Sequence, residues 1–297
     1  MNVTSRTDAG LAVTAVTKAG GTGINEDAFV ANAAAAVYGV VDGVSAMEKR
    51  MWEGNRTAGE MAAKMLAEMM EAGTPDLDLK ETVMRANAAL RARMEAEGVD
   101  LENKAMLWGA VFAIFRVRER TIEYVQSGDC MLFARYGDGS VRALTRNRVA
   151  ALDLVTLNLK RELAERGGLD AEEIGARLRR QSMANRERAN RPDGYSVMNG
   201  DPELAFEMEH GTISRSDIRR LYAVTDGMFH FIENSDDPLK WDRLVDELDE
   251  LGLERYIGKL VEEENLDPDC AKHPRHKKSD DKTAVVVELP RVLNERE

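Results

Sequence analysis

Cysteine is nearly missing: Cys130 and Cys270 are the two in 297 residues, too few for a disulfide framework. Neither sits in a phosphate-cradling Cys-plus-Arg loop, which argues against a thiol nucleophile. No apolar run approaches the roughly 20 residues of a membrane span. The chain start shows no charged n-region followed by an apolar h-region. Basic residues are in deficit, 41 Lys and Arg against 53 Asp and Glu, for a formal net charge of −12. That sign disfavours general nucleic-acid or anionic-membrane binding and suits cations and basic protein partners. A soluble, cytoplasmic protein is expected. The early GGTG has no following Gly-Lys-Ser/Thr, so a P-loop nucleotide site is not supported. Cys270, His273 and His276 in CAKHPRHKK have loose spacing and no evident fourth zinc ligand, so a solvated basic loop is expected there.

What the chain does have is 43% hydrophobic and 32% charged residues, ordinary globular material for one large domain or two small ones. Segments rich in Val, Ile, Ala and Phe near 10–18, 27–41, 106–117, 120–136, 203–209, 219–225 and 283–289 predict strands. Ala58, Met61, Ala62, Met65, Leu66 and Met69 repeat at helical spacing, and a second helical run covers 78–97, so a helical pair is expected over a sheet. The Met on this face reads as core filler. Residues 146–200 are charged, helical in period and poor in large apolar side chains, which predicts a peripheral inserted flap in a single domain spanning 1–297.

Against this background four Asp residues flank apolar strands: Asp27 in GINEDAFV, Asp42 in VYGVVDGV, Asp226 in LYAVTDGMF and Asp280 in KKSDDKTAVVVEL. Each alone reads as a turn acid. Together, carboxylates at strand ends supply the oxygen donors that hard divalent cations take, and a following Gly lets a ligand approach the backbone.

The ordered series NEDAF, VYGVVDG, VQSGDCMLFARYGDGSVRALT, LYAVTDGMF and SDDKTAVVVEL resembles the metal-dependent serine/threonine phosphatases of the PPM, or type 2C, class, over about residues 10–289. The resemblance implies an α+β fold, an α-β-β-α sandwich of two mostly antiparallel sheets with metals at one end between them. It implies hydrolysis of phosphoserine and phosphothreonine in a phosphorylated protein substrate by metal-activated water. Two Mn²⁺ or Mg²⁺ ions and a weaker third are implied. By position, Asp42 bridges the two ions with the Gly43 carbonyl as a further ligand, Glu26 and Asp27 hold one ion and its waters, and Asp226 and Asp280 hold the other. The register with Thr283 selects Asp280 and leaves Asp281 beside it in the set; Asp129 matches the support of the third ion.

Departures from the family pattern are equally specific. Thr22 stands where many relatives carry a phosphate-holding Arg, Val44 follows Asp-Gly where no general acid is then available, and His230 replaces a further Asp. Arg275, Lys277 or Lys278 is expected to replace the anchor. Arg179, Arg180, Arg186 and Arg188 of the flap are expected to be mobile substrate-recognition groups with few packing contacts. A pseudophosphatase, a regulatory or binding module keeping the fold, is the alternative reading, opposed by retention of mutually repelling acids.

Overall fold

The computed structural model describes residues 1–290 except 9, 49, 167, 169, 230 and 232–236. Among the described residues, β1 (Asn2–Asp8), β2 (Leu11–Lys18), β11 (Lys282–Glu288), β10 (Ile218–Val224), β7 (Met131–Tyr136) and β8 (Val141–Ala143) form one sheet in that order. β3 (Ala28–Asn32), β4 (Val37–Gly43), β5 (Ala110–Val117), β6 (Thr121–Ser127) and β9 (Glu209–Ser214) form the other. Every strand pairing within the sheets is antiparallel.

Strand parity builds the layers, because successive side chains point to opposite faces. In β4, Tyr38 and Val40 enter the core between the sheets, while Val37 and Val41 face the helices outside. β5 repeats this with Val111, Ala113 and Phe115 inward and Ala110, Phe112 and Ile114 outward. Both strands are buried on both faces, which explains their unbroken apolar sequence.

The outer layers are helical. α1 (Ala58–Glu71) is capped by Thr57, which accepts from the Glu60 N–H, and α2 (Leu79–Ala96) by Asp78, which accepts from Glu81. Leu66, Met70, Val83, Leu90 and Met94 are fully buried against the five-stranded sheet, while Met61, Met65 and Met69 of the expected face are partly buried and pack against that core. On the opposite side α6 (Lys240–Leu266), bent at Gly252, lays Leu244, Val245, Tyr256 and Ile257 on Phe133 and Tyr222. None of the described helices is long and apolar enough to cross a membrane.

Several elements differ from the sequence-based expectation. The 27–41 run breaks into β3 and β4 around Ala36, whose φ is 51°. Residues 203–209 form the helical turn α5 (Leu204–Glu207) instead of a strand, and β9 follows it. β1, β8 and α6 were not anticipated. The flap comprises α3 (Ala150–Arg166) and α4 (Ala171–Arg186).

Candidate metal centre

The inter-sheet core turns polar at one end, and strand parity carries the acids there. Asp42 continues the inward series Tyr38, Val40; Asp27 continues backward from Ala31 and Phe29. On the facing sheet Thr17 follows Val13 and Ala15, Thr283 precedes Val285 and Val287, and Thr225 follows Leu221 and Ala223. Those hydroxyls line up. Thr17 and Thr283 are hydrogen-bonded at 2.8 Å, and Thr225 donates to Asp27 Oδ2 at 2.9 Å. Asp226 opens the short 3₁₀ turn after β10, and Asp129 and Cys130 follow Gly128, whose φ of +69° turns β6 into β7. Asp42, Asp129 and Cys130 offer ligand atoms within 4.8 Å of one another.

Neighbouring groups fix the acids. Glu26 accepts from Thr57 Oγ1 at 2.5 Å and from Ser45 Oγ at 2.6 Å, so the N-cap of α1 holds its carboxylate. A Cβ on Gly43 would stand 2.4 Å from the Gly59 carbonyl, so the strand end and helix start approach as only glycine permits. Asp281, beside Asp280 in the expected ligand set, accepts the Gly20 and Glu26 N–H groups on its two oxygens, each at 2.7 Å, and so braces the loop. Asp280 instead lines the cavities at the centre.

Electrostatics separates these acids from ordinary surface carboxylates. Burial, then repulsion from Asp281 and Asp280, pushes Asp27 from 3.8 up to about 8, against opposing hydrogen bonds from Thr283 and Thr225. Asp42 is raised well above its ordinary value by burial and by Asp27, Asp226, Asp280 and Asp129. The buried Cys130 thiol is raised by burial and by the same acids, so it stays protonated and is no nucleophile. A divalent cation would relieve this repulsion. The all-oxygen donors fit Mg²⁺ or Mn²⁺, and the thiol is a poor competitor.

Over the acids lies a cavity of about 350 Å³, floored by Asp42, Asp129, Asp226 and Asp280 and roofed by flap residues including Leu152 and Arg186. The flap is docked, contrary to the expectation of few contacts. Leu152, Leu157 and Leu163 are buried, and Arg186 donates to the carbonyls of Ala105 at 2.9 Å and Ser45 at 2.5 Å. A second cavity of about 440 Å³ shares Asp226, Lys277 and Asp280 and runs between α3, α6 and the loop 267–281.

The loop holding CAKHPRHKK is exposed over most of its length, as expected, yet it is braced from within. Asp267 accepts N–H bonds from Ala271, Lys272 and His273 and pairs with Arg275 at 2.6 Å. Arg275 also donates to the carbonyls of Glu264, Asp267, His273 and Lys278, which removes it as a phosphate anchor. His273 stacks on Phe231 and His276 faces Asp153 at 3.5 Å, so Cys270, His273 and His276 do not converge. Thr22 is exposed, and its hydroxyl donates to the Ile24 carbonyl and accepts from the Ile24 N–H within its own turn. Val44 lines the cavity as an apolar group. His230 lies outside the described residues.

Two contacts carried no sequence signal: Lys277 Nζ on Asp280 at 2.6 Å, and buried Lys282 on Glu264 at 2.7 Å, behind the same loop.

Comparison with known proteins accords with this geometry. A search of curated proteins finds no significant sequence match. Among solved structures, the serine/threonine phosphatase PstP/Ppp of Mycobacterium tuberculosis is 18% identical, with TM-score 0.54 over 94% of this chain and 98% of that one. PppA, described as a key regulatory component of T6SS in Pseudomonas aeruginosa, is 16% identical with TM-score 0.55 over 94% and 97%. The PstP catalytic domain in complex with two manganese ions is 17% identical, TM-score 0.54, over the same shares. The family described as Protein phosphatase 2C matches residues 21–262, a span holding β3 through β10 and every acid of the centre except Asp280 and Asp281, and to that family this chain belongs.

Proposed function

We propose that the protein hydrolyses phosphoserine and phosphothreonine in phosphorylated proteins, in the cytoplasm, with Mn²⁺ or Mg²⁺ as cofactor. The observation that carries this reading is the convergence of Asp27, Asp42, Asp129, Asp226 and Asp280 at the polar end of the inter-sheet core, where burial and repulsion hold Asp27 and Asp42 well above the usual carboxylate range. Asp42 would be the shared ligand and the Gly43 carbonyl a further one, Asp27 would serve one ion, and Asp226 and Asp280 the other. Asp129, beside Asp42, would serve a weaker third. When bound, the ions supply a water of lowered pKa and neutralise charge on the phosphoryl group.

The chain's own groups do the rest. Thr225 and Thr283 hold Asp27, and the Ser45 and Thr57 hydroxyls hold Glu26 where it can accept from ion-bound water. The docked flap lines the cavity above Asp42 with Leu152 and Arg186. The cavity's protein groups include no thiolate nucleophile, so attack by water is the consistent route. The two cysteines are free, in keeping with a reducing compartment.

The test is hydrolysis of para-nitrophenyl phosphate with and without Mn²⁺. Wild type is expected to turn over only with the metal, and Asp42→Asn to lose Mn²⁺ binding and turnover together. Mn²⁺-stimulated turnover retained by Asp42→Asn overturns the assignment, and a wild type inactive with either ion returns the protein to a binding module.

A further inference from the structure

A phosphoryl dianion entering a centre floored by carboxylates needs a protein cation to hold it, and most nearby cations are already committed. Arg275 is engaged by Asp267 and four backbone carbonyls. Arg186 is bound to Ala105 and Ser45, and His276 faces Asp153. Lys277 differs: it lines both cavities, beside Asp226 and Asp280, with its ammonium 2.6 Å from Asp280 Oδ1.

We propose that Lys277 is a resident cation of this centre, seated on Asp280 in the metal-free protein, that yields the carboxylate to a divalent ion and then holds the substrate phosphoryl oxygens. This deepens the phosphatase reading and rests on it. The geometry suits an exchange. Asp280 is wanted both by Lys277 and by the ion, and a divalent charge among Asp42, Asp226 and Asp280 displaces a single one. The Lys277 side chain is 42% exposed and Asp280 28%, so the pair is open to competition from solvent and metal. Its four-carbon stem lets Nζ swing toward the cavity while the backbone stays still. The backbone is held on both sides, by the His273 N–H donation to Asp267 before Lys277 and by the Arg275 donation to the Lys278 carbonyl after it.

The experiment titrates Mn²⁺ into the full chain by calorimetry, then inorganic phosphate into the Mn²⁺-loaded protein, for wild type, Lys277→Ala and Lys277→Arg. Lys277→Ala is expected to bind the Mn²⁺ served by Asp226 and Asp280 about two- to fivefold tighter, the size of a half-exposed ion pair removed. It should bind phosphate about tenfold more weakly, with KM for an aryl phosphate rising more than kcat falls. Lys277→Arg should keep phosphate binding within about threefold, since the charge is retained. Mn²⁺ binding unchanged or weakened in Lys277→Ala, or phosphate binding unchanged, overturns the proposal. The binding titrations need no turnover, so an inactive wild type would sink the phosphatase reading while they still decide the place of Lys277.

Discussion

Stripped of divalent ions by EDTA and unfolded in urea across a pH series, the protein should lose stability as pH rises, the reverse of most carboxylate-rich proteins. Asp27 has an ordinary pKa of 3.8 and a folded value of about 8, raised first by burial and then by Asp281 and Asp280. Between those values the folded state keeps a proton that the unfolded state has released. Stability therefore falls from the unfolded pKa up through the folded one, at about 1.4 kcal/mol per pH unit for one such group. From about pH 5.5 to about pH 7.5 the loss from Asp27 is on the order of a few kcal/mol. Asp42 is shifted in the same direction and steepens it.

Two comparisons isolate the cause. Saturating Mn²⁺ should flatten the profile and raise it, because the ion binds the folded state alone. In EDTA, Asp27→Asn should be more stable than wild type by a few kcal/mol at about pH 7.5, with the gap closing toward about pH 4.5, since an amide stands in for the protonated acid. A metal-free profile that is flat or rises over this window, or an Asp27→Asn variant less stable than wild type at the upper end, would refute the account of a repelling acid cluster.

Three further outcomes are expected. Asp280→Asn should weaken Mn²⁺ binding and turnover with little change in Tm, whereas Asp281→Ala should lower stability by about 1–3 kcal/mol through two unpaired backbone N–H groups, read by urea unfolding. Arg186→Ala should lower kcat/KM for a small aryl phosphate and a phosphopeptide alike, because Arg186 ties the flap to Ser45 and Ser45 holds Glu26, while Arg179→Ala with Arg180→Ala should affect the phosphopeptide alone. Lys282→Ala should cost about 3–5 kcal/mol in urea unfolding, since it leaves the buried Glu264 carboxylate without its partner.

The strands carrying the acids were legible in the sequence because both faces are buried and Val, Ile and Phe run without interruption; Asp42 stands out against VYGVV for that reason. The break between β3 and β4 was not, because Asn-Ala-Ala-Ala-Ala lacks the Gly or Pro that usually marks a turn and Ala36 takes the left-handed conformation there. β1, an edge strand of sequence NVTSRTD, is exposed over most of its length and so has little apolar alternation to read. The flap's docking was hidden for another reason. Arg186 is held by carbonyls 81 and 141 residues away, and a backbone acceptor leaves no mark in the sequence. Lys277 was one of three candidates until the contacts of Arg275 set that residue apart.

The placement of the acids follows from the period that builds the core. An inward residue at i forces i+2 inward, so Tyr38 and Val40 commit position 42 to the space between the sheets, and Leu221 and Ala223 commit Thr225. Where the sandwich ends, the same parity that delivered apolar side chains delivers carboxylates and hydroxyls instead. A one-residue slip of β4 would turn Asp42 toward α1 and Val41 into the centre. The Gly43 contact with Gly59 opposes such a slip, because any residue with a Cβ brought to that point would meet the start of the helix. The packing that makes the register unique thus also fixes where the anionic charge must gather. That charge weakens the metal-free fold, and under the proposed function the cation that offsets it would also be the one that serves the chemistry.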